Sequence, residues 1–240
     1  MPEHSELAPR LDAVLQAVYA AYGSGWEDVA GADPRRRGLA TEAIWLGHLI
    51  AGLLPREPEA HGLLALMLHC EARRAARRNA SGAFVALAEQ DVALWSKAMI
   101  GQAESALGEA SKLGRIGPFQ LEAAIQSVHA ARAVSGCTDW QALAQLHEGL
   151  ARLAPTTGVL VSRAAAVAEA FGPERGLVLL AELPEAEIVS YQPCWALKAH
   201  LLQRLGREPE ARTAFDRAIG LTDDPAVRAF LAHRRDGPAG

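Results

Sequence analysis

Residues 194–221 hold two amphipathic segments that meet at a turn containing Gly206. Small residues recur where the two must approach closely: Ala199 on the first, Ala211 and Ala218 on the second. Leu202 and Phe215 stand beside them as fillers. Side chains three and four apart share one face of a helix. An alanine stripe therefore lets two helix backbones close up while the large neighbours occupy the gaps. This pairing constrains the fold more than any other stretch of the chain, because it demands an antiparallel helical hairpin.

The layout is that of a tetratricopeptide-like (TPR-like) hairpin. Ala165, Gly172 and Leu177 echo Ala199, Gly206 and Ala211 at an offset of 34 residues in each comparison, which is the TPR period. Trp140 to Pro155 resembles a second TPR helix running into its terminal proline. The expected fold is all-α, a right-handed TPR-like helical repeat (an α-α superhelix) of about eleven helices. Such scaffolds bind other macromolecules and seldom carry chemistry.

Composition agrees. Half of the 240 residues are hydrophobic but only 5% are aromatic. Val and Ile are sparse beside Ala and Leu, which lose little side-chain freedom in a helix. Periodicity places helices at Leu7–Tyr22 (ended by Gly23-Ser24-Gly25), Pro34–Leu54 (capped by Asp33), Glu57–Arg77, Asp91–Lys112 and Pro118–Ser135. Ala83–Leu87 reads as an extended connector. Further helices are expected at Asp139–Leu153, Thr157–Phe171, Pro173–Leu183, Tyr191–Leu205, Glu208–Leu221 and Asp224–Arg234. The organisation expected is an N-terminal helical part, 1–136, TPR-like hairpins with a capping helix, 137–236, and a disordered tail, 237–240, with the two helical parts continuous.

The chain carries 24 basic and 28 acidic residues, a net charge of −4. Nucleic-acid binders draw most of their affinity from neutralising phosphates, so direct nucleic-acid binding is not expected. Cys70, Cys137 and Cys194 lie 67 and 57 residues apart, without ligand spacing for zinc. The first residues lack a basic start and an apolar run, so no signal peptide is expected, and no apolar run approaches a bilayer span. A cytoplasmic location follows as an expectation.

Runs along residues 10 to 235 resemble the C-terminal extension of extracytoplasmic-function (ECF) RNA polymerase sigma factors that carry a TPR-like domain after their promoter-binding regions. They are Arg10-Leu-Asp-Ala-Val-Leu15, Glu42-Ala-Ile-Trp-Leu-Gly47, Leu63-Leu-Ala-Leu-Met-Leu68 with Glu71-Ala-Arg-Arg74, and Glu89-Gln-Asp91 with Trp95. Gly117-Pro-Phe-Gln-Leu-Glu-Ala-Ala-Ile125 with His129, Thr138-Asp-Trp140, Arg163-Ala-Ala-Ala-Val-Ala-Glu169 with Gly172-Pro173, and Arg204-Leu-Gly206 complete the set. Family members usually carry an aromatic-Asn-Glu-Gly-Tyr run after the first helix. Here the spot reads Tyr22-Gly-Ser-Gly-Trp26, and no role is transferred to it. The resemblance implies a regulatory, protein-binding domain that modulates transcription initiation. Its implied partners are upstream sigma-factor regions, RNA polymerase or a regulatory protein. The regions that would bind polymerase and promoter are absent from these 240 residues.

Candidate sites each carry two readings. Glu71, Arg73, Arg74, Arg77 and Arg78 form a charged helix end, either a partner patch or a solvated, dipole-compensated terminus. Glu122, Gln126 and His129 form one stripe, either a peptide-accepting groove or an exposed flank. Arg163 is the only charge between Gly158 and Ala168, so it should find a carboxylate on a neighbouring helix, Glu122 or Glu169. Trp26, Trp45, Trp95, Trp140 and Trp195 read as packing residues. No nucleophile elbow, zincin motif or phosphate loop occurs, so neither an enzyme nor a cofactor is expected. Two alternatives stay open. One is a stand-alone TPR-like adaptor. The other is a small-molecule-binding helical domain in which Trp45, Trp95 and His69 line a cavity. An Ala/Leu-rich helical surface is also compatible with a dimer.

Overall fold

The structure, a computed structural model, describes residues 4–27 and 38–237, with side chains from residues 10–26 and 38–237. Among the described residues it is helical, without strands. The helices are α1 His4–Glu27, α2 Leu39–Leu53, α3 Pro58–Ala72, α4 Lys97–Lys112, α5 Pro118–Ser135, α6 Trp140–Leu153, α7 Thr157–Phe171, α8 Pro173–Ala181, α9 Glu185–Ile188, α10 Gln192–Arg204, α11 Glu208–Gly220 and α12 Pro225–Asp236. A single antiparallel bridge, Arg78 to Phe84, closes the loop after α3.

The chain divides into two compact units. The first comprises residues 1–75 and 91–137; the second comprises 76–90 and 138–240. The second thus includes a short segment that chain order places inside the N-terminal part.

In the first unit α3 is the central element. Leu63 through Leu68 are buried without a break, because α1, α2, α4 and α5 all pack around this helix. Two close approaches fix its neighbours. A Cβ on Gly62 would stand 2.7 Å from the Gln120 backbone nitrogen, and one on Gly47 would stand 2.7 Å from Met67 Cε. Glu59 accepts the Phe119 and Gln120 amides at 2.9 and 3.1 Å, so a side chain of α3 caps the start of α5.

In the second unit successive helices pack as neighbours: α6 on α7, α7 on α8, α8 on α10, α10 on α11 and α11 on α12. Ala199, Ala211 and Ala218 are buried together with Leu202 and Phe215, as the hairpin spacing requires. Burying a side chain such as Phe215 contributes about 1.5–3 kcal/mol. The 76–90 segment joins this unit through Phe84 against Phe230, with ring centroids 5.2 Å apart, and through the Arg78–Asp224 and Arg234–Glu89 ion pairs.

Several sequence-based boundaries move. α1 does not stop at Gly23-Ser24-Gly25 but runs to Glu27. Gly25 serves close approach instead, since a Cβ there would lie 2.6 Å from the Ala40 backbone nitrogen. The helix expected to reach Arg77 ends at Ala72, whose carbonyl accepts the Ser96 amide at 2.8 Å, and a short 3-10 turn, Arg74–Arg77, follows. The helix expected from Asp91 begins at Lys97. Asp91 caps a separate turn at Val92–Leu94, and Ser96 caps α4. The four-residue α9 has no counterpart in the sequence reading. The described part of α2 begins after Gly38, with the Asp33–Pro34 start outside the described residues; so do residues 238–240 of the expected tail.

Candidate functional site

The C-terminal end of α3 brings Glu71, Arg73 and Arg74 together in the first unit, whereas Arg77 and Arg78 of the same charged run belong to the second, where Arg78 pairs with Asp224. Glu71 pairs with Arg74, Oε1 to Nε at 2.7 Å, and accepts the Tyr22 hydroxyl at 3.4 Å. Arg74 also donates to the Gly25 carbonyl at 3.2 Å and lies 5.2 Å from the centre of the Trp26 ring. This charged helix end is therefore tied to α1 by hydrogen bonds, an aromatic face and a buried phenol. Burial pushes the Tyr22 hydroxyl well above its ordinary pKa, so it remains a donor.

The Glu122–Gln126–His129 stripe is half-buried rather than an exposed flank. Glu122 accepts the Tyr19 hydroxyl at 3.2 Å. Burial raises the Glu122 pKa above the usual carboxylate value, the Tyr19 hydrogen bond opposing it and the charge of Glu59 adding to it. Gln126 turns its Oε1 inward, where it finds no hydrogen-bond partner among the described residues.

That oxygen lines a cavity with His69, Ala72, Arg73, Trp95, Ile100 and Ala130. His69 is 3% exposed and Trp95 5% exposed. Neither the His69 ring nitrogens nor Trp95 Nε1 is hydrogen-bonded to a described residue. His69 Nε2 sits 3.4 Å from Glu104 Oε1, out of line for a hydrogen bond. Burial lowers its pKa to about 4 against the pull of Glu104, so the imidazole is neutral at pH 7. The cavity is about 10 Å³, room for about one water. His69 and Trp95 thus share a cavity, as the small-molecule reading supposed. Trp45 does not join them: it is 59% exposed on α2, contrary to its expected packing role.

Arg163 does find a carboxylate on a neighbouring helix, but the partner is Glu148 of α6 at 2.7 Å, not Glu122 or Glu169. Glu169 pairs with Arg204. Arg163 and Glu148 are both half-buried, so the pair keeps part of its hydration.

The sequence alone assigns no role to the Tyr19 and Tyr22 hydroxyls, or to Glu59, whose capping contact spans 60 residues of chain. Among the described residues no group of three His, Cys, Asp or Glu side chains could hold a metal ion. No helix among them is long and apolar enough to cross a membrane.

α2 provides a second kind of site. Trp45, Leu49 and Leu53 follow one another at four-residue steps, which puts them on one face. All three are exposed, Leu53 by 71%, with Leu46 and Leu54 alongside.

Both features lie largely in the part of the chain with a family match. Residues 10–111 match the model of a family described as a family of unknown function (DUF6596). The match covers α1 from Arg10 onward, all of α2 and α3 and nearly all of α4, and stops before Glu122, Gln126, His129 and Arg163. Over 235 residues, 98% of this chain, the sequence is 38% identical to an uncharacterized protein of Rhizobium meliloti (strain 1021). The match takes in 55% of that protein, so the chain spans about half the length of the curated relative it matches. No solved structure matches.

Proposed function

We propose that this chain is a regulatory, protein-binding domain of an ECF-type sigma factor, modulating DNA-templated transcription initiation. The apolar face of α2 carries the reading. Soluble surfaces rarely leave large contiguous apolar patches, and anchors at four-residue steps are a common way for a helix to dock on a partner. Trp45, Leu49 and Leu53 form such a row. The assigned occupant is the polymerase- and promoter-binding part of a sigma-type protein. Two things support this choice: the sigma-like runs along the chain, and a relative that extends well beyond the match.

In this reading α6–α7 and α10–α11 are TPR-like hairpins of a right-handed superhelix, and the domain works in the cytoplasm without catalysis or cofactor. Its net charge of −4 leaves promoter contact to the partner. The test removes the matched portion from the Rhizobium meliloti relative and sequences transcripts across growth conditions. A defined set of promoters should change output. Unchanged transcription in every condition contradicts the reading.

A further inference from the structure

α8, α9 and α10 of the second unit enclose a pocket of about 200 Å³. Its wall is Leu177, Leu180, Leu183, Ile188, Cys194 and Trp195, with Lys198 and Glu185 as its charged lining. From this geometry we infer that the pocket binds a free amino acid with a branched aliphatic or single-ring aromatic side chain.

Size sets the apolar part of the ligand. A dry cavity of about 150 Å³ accepts benzene, so this one accommodates a leucine-sized or phenylalanine-sized group. The walls are held in place. Trp195 Nε1 donates to the Ile188 carbonyl at 3.0 Å, and Arg217 donates to the Val189 carbonyl at 2.9 Å, fixing the link from α9 to α10. α8 cannot slide inward, because a Cβ on Gly176 would already lie 2.6 Å from Ala168 Cβ and 2.9 Å from Leu201 Cδ1. Cys194 is buried, and burial raises the pKa of its thiol, so it serves as an apolar wall and not as a nucleophile.

Charge sets the head group. Lys198 lies with its ammonium 5.2 Å from the centre of the Trp195 ring, and it is exposed, as is Glu185 at the start of α9. A plain carboxylate would meet Glu185 and a plain amine would meet Lys198, each with a like charge. A zwitterion pairs with both, its carboxylate toward Lys198 and its ammonium toward Glu185, while the side chain enters the apolar interior. The inference does not depend on the sigma-factor reading, since it uses neither α2 nor a protein partner.

The experiment is a titration of the 240-residue chain with L-leucine and L-phenylalanine, followed by NMR at the Trp195 indole N–H and the Leu177, Leu180 and Ile188 methyl groups. 4-Methylpentanoate and 3-methylbutylamine serve as the half-ligands. Saturable shifts confined to these groups are expected with an amino acid. Affinity should fall roughly tenfold or more for each half-ligand, and likewise in Lys198→Ala and Glu185→Ala. Both variants change exposed side chains, and a thermal melt equal to wild type establishes that they fold. Absence of saturable shifts with both amino acids overturns the inference. So does a half-ligand that binds as well as the amino acid, or a folded variant with unchanged affinity.

Discussion

The carboxylate of Glu59 on α3 takes the backbone N–H of Phe119 at 2.9 Å, so one helix supplies the N-terminal cap of another. Gly117 is part of this contact: a Cβ there would fall 2.2 Å from Glu59 Cδ. Its φ of −132° is open to any residue, so the constraint is space alone. Gly117→Ala should push the Glu59 carboxylate off the Phe119 and Gln120 amides and cost about 1 kcal/mol, the usual worth of an N-cap. Gly101→Ala in α4, where the added Cβ meets nothing within 4 Å beyond the helix's own backbone, should instead stabilise by about 0.5–1 kcal/mol. Urea unfolding of the two variants checks both signs.

His147 makes stability depend on pH. Burial lowers its pKa to about 4, from 6.5 for an ordinary imidazole. The unfolded chain therefore takes up a proton that the folded chain refuses between these values. Stability from this group is complete above pH 6.5 and is lost as pH falls toward 4. His69 acts in the same direction. Glu59 and Glu122, whose pKa values are raised by burial, act oppositely, losing stability as pH rises above the ordinary carboxylate range. His147→Leu should remove up to about 1.4 kcal/mol per pH unit of acid sensitivity in this window. Urea midpoints at a series of pH values measure it, and a slope equal to wild type contradicts the assignment.

Asp224 has two duties that substitution can separate. It caps α12 through the Ala226 amide at 2.8 Å, and it pairs with Arg78 on the 76–90 segment. Burial alone would raise its pKa. The Arg78 hydrogen bond and the two helix amides outweigh that and bring it below the ordinary value, so its contribution is present above pH 3.8 and fades as pH falls. Asp224→Asn keeps a capping oxygen and loses the charge pair. Asp224→Ala loses both and should cost about 1 kcal/mol more, the usual worth of an N-cap. Equal melting temperatures for the two variants would remove the capping role.

Helix positions were legible because they rest on local periodicity. The alanine stripe of α10 and α11 declares its buried face within 28 residues of sequence. What stayed hidden depends on distant partners. Gly25 has the appearance of a stop signal, yet its meaning lies in Ala40, which presses against it inside the same unit. Arg163 announced the need for a carboxylate, but only packing could choose Glu148 over Glu169. Trp45 is the reverse case: composition reads an indole as core, whereas α2 turns it outward. Of the site residues, Glu71 and Arg74 were legible as a charged end because they stand three apart where the apolar run of α3 closes, although the helix itself stops at Ala72 between them. The partners that tie them to α1 were not.

The α2 face should behave as a binding surface and not as a folding element. Leu49→Glu changes an exposed side chain, so unfolding free energy should stay within about 0.5 kcal/mol of wild type. The measurement that bears most directly on the proposed role is a calorimetric titration of this chain with the segment of the Rhizobium meliloti relative outside the match. The wild-type chain should bind saturably, and Leu49→Glu should bind at least about tenfold more weakly. No binding by the wild-type chain, or equal binding by both, would contradict that role.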